Sequence, residues 1–342
     1  MARKFRSPID PYILMMVATV GIASILPATG MGATIANWAA TLAIGILFFM
    51  YGAKLSPQAA LTGLTHWRLH GVVLLSTFVL FPALGLALGY LPESILPRSL
   101  YNGLMFLCVL PSTVQSSIAF TSIAKGNVAA ALCSASASNL IGIFATPLLA
   151  AFLMHTQSGG FSFGVLLDII TQLLLPFMAG QALRPWINGW LTRNKSSLGF
   201  VDRGSILLVI YTAFSEGVVS GVWHQLDLAS LGTLVAISLV LLLLVLAITT
   251  IVSRYILRFP VEDEIVVVFC GSKKSLASGL PMASVLFAGS QVGLIVLPLM
   301  LFHQLQLMLC ATLARRYGSR PMEPALPDAV ETRVGVVSRT TA

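Results

Sequence analysis

Two lysines, Lys273 and Lys274, stand side by side in an apolar stretch, VVVFCGSKKSLASGLPMASVLFAGS, running from Val266 to Ser290. An ammonium group at mid-bilayer costs roughly 2.5 to 3.5 kcal/mol even on a lenient scale, so such a pair persists only with partners or a wet cavity. Three kinds of chemistry fit. A lysine here could hold an anionic solute. It could sit as a tethered charge where another protein binds a metal cation. It could release its proton when desolvated and couple transport to protons. The bland alternative is a structural ion pair. Adjacent helical residues point about 100° apart, so the two lysines need not share a role.

A second stretch has the same grain. CVLPSTVQSSIAFTSIAKGN, Cys108 to Asn127, gathers Ser112, Thr113, Gln115, Ser116, Ser117 and Thr121 around Pro111. Ser134, Ser136, Ser138 and Asn139 follow, and Ser275 comes directly after the lysines. Neutral oxygens at this density suit a hard cation or a polar solute. Singly, such residues merely let helices pack closely. Glu216 is the acidic residue placed to pair with a lysine, and Gln115 is expected opposite Lys273. His303, near Gln304 and Gln306, could join a proton relay. Asp168 is less telling. Cys108, Cys133, Cys270 and Cys310 lie in apolar runs, with neither a metal-ligand nor a disulfide pattern.

The frame that must hold these residues is apolar. Hydrophobic residues make up 57% of the 342 and charged residues 9%, against about 25% charged in an ordinary soluble domain. Nearly uncharged lengths of about 18 or more residues recur, each long enough to span a bilayer. The runs are continuous rather than alternating, which argues against a barrel. The expected fold is an all-α polytopic membrane protein with ten spans, at 11–27, 35–51, 71–89, 99–124, 128–154, 165–183, 204–223, 228–251, 262–289 and 292–314. The fourth is interrupted by Pro111; in the ninth, Gly271, Gly279 and Pro281 loosen the helix. The basic N-terminus is read as the flank of the first span rather than a removed signal peptide.

Basic residues orient the chain. With the N-terminus inside, the inner segments and tail hold seventeen of the 20 Lys and Arg, the outer loops hold Arg98 alone, and the other two are Lys273 and Lys274. Positive residues stay inside, so both termini are expected in the cytoplasm. The formal charge of +8 therefore marks loops rather than a nucleic-acid surface. Ten spans divide into five and five, and the odd number inverts the second half. Broken helices at matching places in two inverted repeats form the site of many secondary transporters.

The residues also resemble a known family, the bile acid:sodium symporters, over nearly the whole length. The matches are Ser116 through AKGN (Ala124 to Asn127), FATPLL at the end of the fifth span, and the ninth-span core ending in Ser275. FCGSKKSLASGLPM, VLFAGSQ and LPLMLFHQLQ look like its divergent seventh-member type, found in bacteria and animals. The resemblance implies two inverted five-helix repeats. Panel helices would occupy 1–70 and 163–223, core helices 71–154 and 228–314, and a cytoplasmic tail 315–342. Members that bind two sodium ions carry a Glu and a Gln in the ninth span. Aligned on Ser275, those places hold Phe269 and Lys273. Thr77 stands for a span-three Gln, and Ala131 and Ala135 for fifth-span hydroxyls. Ser116 and Ser117 keep the polar character of the first sodium site, so sodium is the one candidate cofactor. Lys273 is expected to substitute electrostatically for sodium.

These readings converge on a secondary active transporter of a small, anionic organic solute. It would work by alternating access in the inner membrane, the core rocking against the panel. No metal-ligand spacing, nucleophile elbow or phosphate loop suggests an enzyme. The alternative is a non-transporting membrane regulator of ion homeostasis acting through a partner.

Overall fold

The computed structural model describes residues 11–54, 66–154, 170–221, 227–287 and 291–320. The described regular elements are all helices: α1 Pro11–Ile25, α2 Gly30–Lys54, α3 Trp67–Leu88, α4 Arg98–Val109, α5 Val114–Ile123, α6 Val128–Leu153, α7 Leu175–Arg193, preceded by a π-helical turn at Ile170–Leu174, α8 Lys195–Val219, α9 Leu228–Ile256, α10 Val261–Gly271, α11 Leu276–Leu286 and α12 Gln291–Gly318. Six of them (α2, α3, α6, α8, α9 and α12) are long and apolar enough to cross a membrane. The pair α4–α5, bent by 65°, passes the same test together, as a broken span or a re-entrant loop. The protein is thus a polytopic helical membrane protein. The basic residues Arg3, Lys4, Arg6, Arg333 and Arg339, together with Asp168 of the expected sixth span and the tail beyond Arg320, lie outside the described residues.

The two expected interruptions are present, and in the second only Gly271 of the three expected residues lies at the break. α4 stops at Val109 and α5 begins at Val114, around Pro111. α10 stops at Gly271 and α11 begins at Leu276, capped by Ser275, whose side chain accepts the Ser278 N–H. Gly279 and Pro281 lie inside α11. Gly279 is a packing residue: an added Cβ would come within 2.5 Å of Leu110 and 2.6 Å of Leu299. The basic segment expected as a loop, residues 184–203, is mostly helix. α7 runs through Pro185 to Arg193, and α8 starts at Lys195. Trp186 and Trp190 are exposed on α7, as suits side chains at a membrane–water boundary.

α3 contains a π-helical turn at Ser76–Leu80. The Phe81 N–H reaches back to the Ser76 carbonyl, and Pro82 has no N–H to give. The carbonyl of Thr77 is thereby released from the helix ladder. On α9, Asp227 caps the first turn by accepting the Ser230 N–H at 2.9 Å. Hydrogen bonds from Ser230 hold that carboxyl below its usual range.

Packing sets the elements very close in places. α2 and α7 meet through Gly52 and Gly180: a Cβ at Gly52 would lie 2.0 Å from the Phe177 carbonyl oxygen, and one at Gly180 2.0 Å from that of Phe49. Gly103 on α4 meets the Leu294 and Ile295 carbonyls and Pro298 of α12 in the same way. Small residues at helix contacts let backbones touch where lipid supplies little hydrophobic drive. α10 is buried from Glu264 to Gly271, matching a helix apolar on every side. α8 supplies Ile206, Val209, Ile210, Ala213 and Phe214 to the main core and packs on α11 and α12.

Gly180→Ala and Gly52→Ala should each push two backbones apart, costing on the order of 1–3 kcal/mol. Both purified variants should melt below wild type, whereas Gly199→Ala, with nothing within 4 Å of the added carbon, should not. An unchanged melting temperature for Gly180→Ala would contradict the contact.

Candidate functional site

A helix that stops in mid-membrane leaves its last carbonyls bare, and hydrocarbon offers them no partner. The two breaks answer this by meeting. The Ser275 N–H donates to the Pro111 carbonyl at 2.9 Å. Thr113 Oγ1 donates to the Lys274 carbonyl at 2.8 Å. At the first break, Thr146 Oγ1 covers the Val109 carbonyl at 2.8 Å and Asn139 Nδ2 that of Ser112 at 2.6 Å. At the second, Ser272 covers Val268, Ser117 covers Phe269, Ser112 covers Cys270 and Ser76 covers Gly271, each hydroxyl donating to a carbonyl. The dense hydroxyls of the sequence thus serve first as stitches between α3, α4–α5, α6 and α10–α11.

Lys274 completes the stitching. Its ammonium donates to three carbonyl oxygens: Thr77 at 2.8 Å, Cys108 at 2.8 Å and Leu110 at 2.7 Å. An ammonium has three N–H donors, so all are used. Its nitrogen lies 4.1 Å from the centre of the Phe81 ring. The lysine's backbone is also held: Gln306 accepts its N–H at 2.9 Å and donates to its carbonyl at 3.0 Å. Gln306 Nε2 in turn lies 2.8 Å from His303 Nδ1.

Lys273 is equally buried but differently placed. Its Nζ donates to the Ser116 carbonyl at 2.9 Å. The rings of Phe120 and Phe269 lie beside it, with centroids at 3.8 and 5.3 Å. A cation over aromatic faces gains about 2 kcal/mol or more when desolvated.

The crossing brings together Thr113, Ser117, Ser138, Asn139, Lys273, Lys274, Ser275 and, through Gln306, His303. Ser138 Oγ accepts the Ser112 N–H at 3.0 Å, and Ser278 Oγ donates to Asn139 Oδ1 at 2.8 Å. Ser116 contributes its carbonyl, while its hydroxyl is buried without a partner among the described residues. Ser134 pairs instead with His70 on α3, at 2.6 Å. Gln115 is exposed, so the residue opposite Lys273 is its neighbour Ser116. Glu216 is half-buried on α8 and forms an ion pair with neither lysine among the described residues. Backbone carbonyls solvate the Lys274 ammonium where a carboxylate was expected.

Sequence reasoning missed several parts. The Thr77 carbonyl is backbone, and only Pro82 hinted that it was free. The acidic run Glu262, Asp263 and Glu264, in the first turn of α10, was a readable signal, since carboxylates favour helix N-termini. Each ties α10 to another element. Glu262 pairs with Arg320 at 2.7 Å, Asp263 accepts Asn127 Nδ2 at 2.9 Å, and buried Glu264 pairs with Arg254 at 2.6 Å and accepts the Tyr317 hydroxyl at 2.6 Å. Among the described residues, no three His, Cys, Asp or Glu side chains cluster as a metal site would need.

Broken helices joined across their breaks, inside a polytopic helical membrane protein, are an arrangement that membrane transporters use. The family model described as the SBF-like CPA transporter family matches residues 10–319. The chain belongs to that family, within the bile acid:sodium symporters. It is 52% identical to "Putative symporter YfeH" of Escherichia coli (strain K12) over 309 residues, 90% of this chain and 93% of that protein. It is 55% identical to the uncharacterized protein PA2026 of Pseudomonas aeruginosa over 313 residues, 91% and 93% of the two chains. It is 29% identical to sodium/bile acid cotransporter 7 of Mus musculus over 308 residues, 88% and 90%.

Lys274→Met should leave three buried carbonyls unpaired, each costing about 1–3 kcal/mol. Lys273→Met frees one. The first variant should therefore melt well below the second. Equal losses would show that the three-carbonyl seat is not the stronger anchor.

Proposed function

We propose that the protein is a secondary active transporter of a small organic anion, working by alternating access in the inner membrane. Ten spans in two inverted repeats would place both termini in the cytoplasm, with α4–α5 and α10–α11 as fourth and ninth. The basic-residue distribution supports that orientation. The panel would comprise α1, α2, α7 and α8, and the core the remaining helices. The observation that carries the reading is the crossing of two broken helices with two buried ammonium groups at it. Relatives named as a symporter and as a sodium/bile acid cotransporter support an organic solute moved with a second species.

A sodium ion fits the residues poorly. Phe269 stands at the place of the family's carboxylate. The Lys273 ammonium lies on the Ser116 carbonyl, beside the two serines that would hold the ion. The Ser117 hydroxyl is already engaged with the Phe269 carbonyl. We therefore assign the tethered positive charge to the lysine pair. Lys274 makes the more direct contacts, although the alignment pointed to Lys273.

Thermal stabilisation tests the reading. Purified protein is melted with a panel of organic carboxylates and sulfonates, in sodium chloride and in choline chloride. At least one anion should raise the melting temperature equally in both salts. A sodium requirement would sink the lysine assignment. Stabilisation by no anion would favour a membrane regulator without transport.

A further inference from the structure

α7 continues the expected sixth span and runs on as a helix to Arg193. Its exposed residues include Leu175, Ala179, Ala182, Trp186, Trp190 and Arg193. Successive members are three or four residues apart, so they line one face of the helix. Phe177, Gly180 and Leu191 are buried on the other side, against α2.

The order along the exposed stripe is apolar, then aromatic, then cationic. Leu175 to Trp186 covers about 16 Å of helix axis, close to the ~15 Å hydrocarbon half of a bilayer. Trp190 and Arg193 follow over the next two turns. A phospholipid presents the same sequence of chemistry: acyl chain, ester carbonyls, phosphate. Indole rings favour the ester level of that boundary.

The polar end of the stripe has donors without acceptors. Arg193 Nε donates to the Gly189 carbonyl at 3.2 Å, which uses one of the five N–H donors of a guanidinium. Arg193 takes part in neither ion pair among the described residues; these are Arg254–Glu264 and Arg320–Glu262. Neither Trp186 nor Trp190 hydrogen-bonds through its indole N–H to a described residue. Charge is unbalanced here as well. Residues 184–203 hold Arg184, Arg193, Lys195 and Arg203 against one acid, Asp202. That carboxylate already accepts the Tyr51 hydroxyl at 3.2 Å.

We propose that the outward stripe of α7 binds one anionic phospholipid, its phosphate held by Arg193 and Trp190 and an acyl chain lying along Leu175, Ala179, Ala182 and Trp186. A guanidinium matches phosphate with two parallel N–H donors, which a lysine cannot offer. Excess positive charge on the segment selects the headgroup: phosphatidylglycerol brings a net negative charge, whereas phosphatidylcholine brings a second cation to a site already rich in them. The bound lipid would steady the corner between α7 and α8, where Leu191 and Leu198 pack on Met50 and Ala53 of α2. Binding at this face needs neither transport nor a solute, so the proposal stands apart from the transporter reading.

The full chain, purified in a neutral maltoside detergent, is melted while phosphatidylglycerol or phosphatidylcholine is titrated in. Phosphatidylglycerol should raise the melting temperature to a plateau, and native mass spectrometry should show one lipid retained. Phosphatidylcholine should do neither. Arg193→Gln should weaken the phosphatidylglycerol midpoint about tenfold or more, the loss of charge-assisted hydrogen bonds. Trp190→Leu, which keeps an apolar side chain, should weaken it too and serves if Arg193→Gln does not fold. Arg316→Gln removes the same charge from the exposed end of α12 and should titrate like wild type. Equal stabilisation by the two lipids, or an unshifted midpoint in both Arg193→Gln and Trp190→Leu, overturns the proposal. So does an equal shift in Arg193→Gln and Arg316→Gln, which would mean diffuse charge rather than a site. Equal stabilisation by glycerol phosphate, which has no acyl chain, would remove the apolar stripe from the site and sink the proposal as well.

Discussion

The structure depends on one constraint: a peptide carbonyl in hydrocarbon must have a donor. Breaking two helices in mid-membrane bares carbonyls at both C-terminal ends. One break alone would need water or side chains from all around. Two breaks that cross can serve each other, as Ser275 and Thr113 do across Pro111 and Lys274. Lys274 is where this economy is tightest. It belongs to the second break, yet it satisfies two carbonyls of the first and one from the π turn of α3. The π turn, the proline after it and the lysine therefore form one device. Remove any member and another is left with an unmet group.

The same logic explains why α10 can be short. It is held at both ends. Its acidic first turn reaches α12 through Glu262 and Glu264, the start of α6 through Asp263, and α9 through Glu264. Its final carbonyls receive hydroxyls from α3, α5 and the first break. Elsewhere helices meet through glycine backbones, α2 with α7 and α4 with α12.

Much of this was legible in the sequence. The apolar runs, the Pro111 break, the hydroxyl cluster and the two intramembrane lysines all announce themselves by residue type. What stayed hidden involves partners that residue type does not report. A lysine suggests a carboxylate, so Glu216 looked natural, but carbonyl dipoles solvate an ammonium without adding a second buried charge. Gly279 and Pro281 looked like helix breakers, yet Gly279 is needed for the approach of Leu110 and Leu299. Residues 184–203 looked like a loop because they are polar, but polarity ends the membrane and not the helix. The wrong inferences share a cause: hydropathy and charge describe the surroundings of a side chain, while the backbone chooses its own partners.

Charge balance gives the site its chemical bias. Phe269, whose ring lies beside Lys273, shares a T-shaped contact with Tyr317 at 6.3 Å, and neither ion pair among the described residues includes a lysine of the crossing. Two ammonium groups stand at the same crossing. A positive centre in a low-dielectric surround attracts an anion far more strongly than the same charge in water.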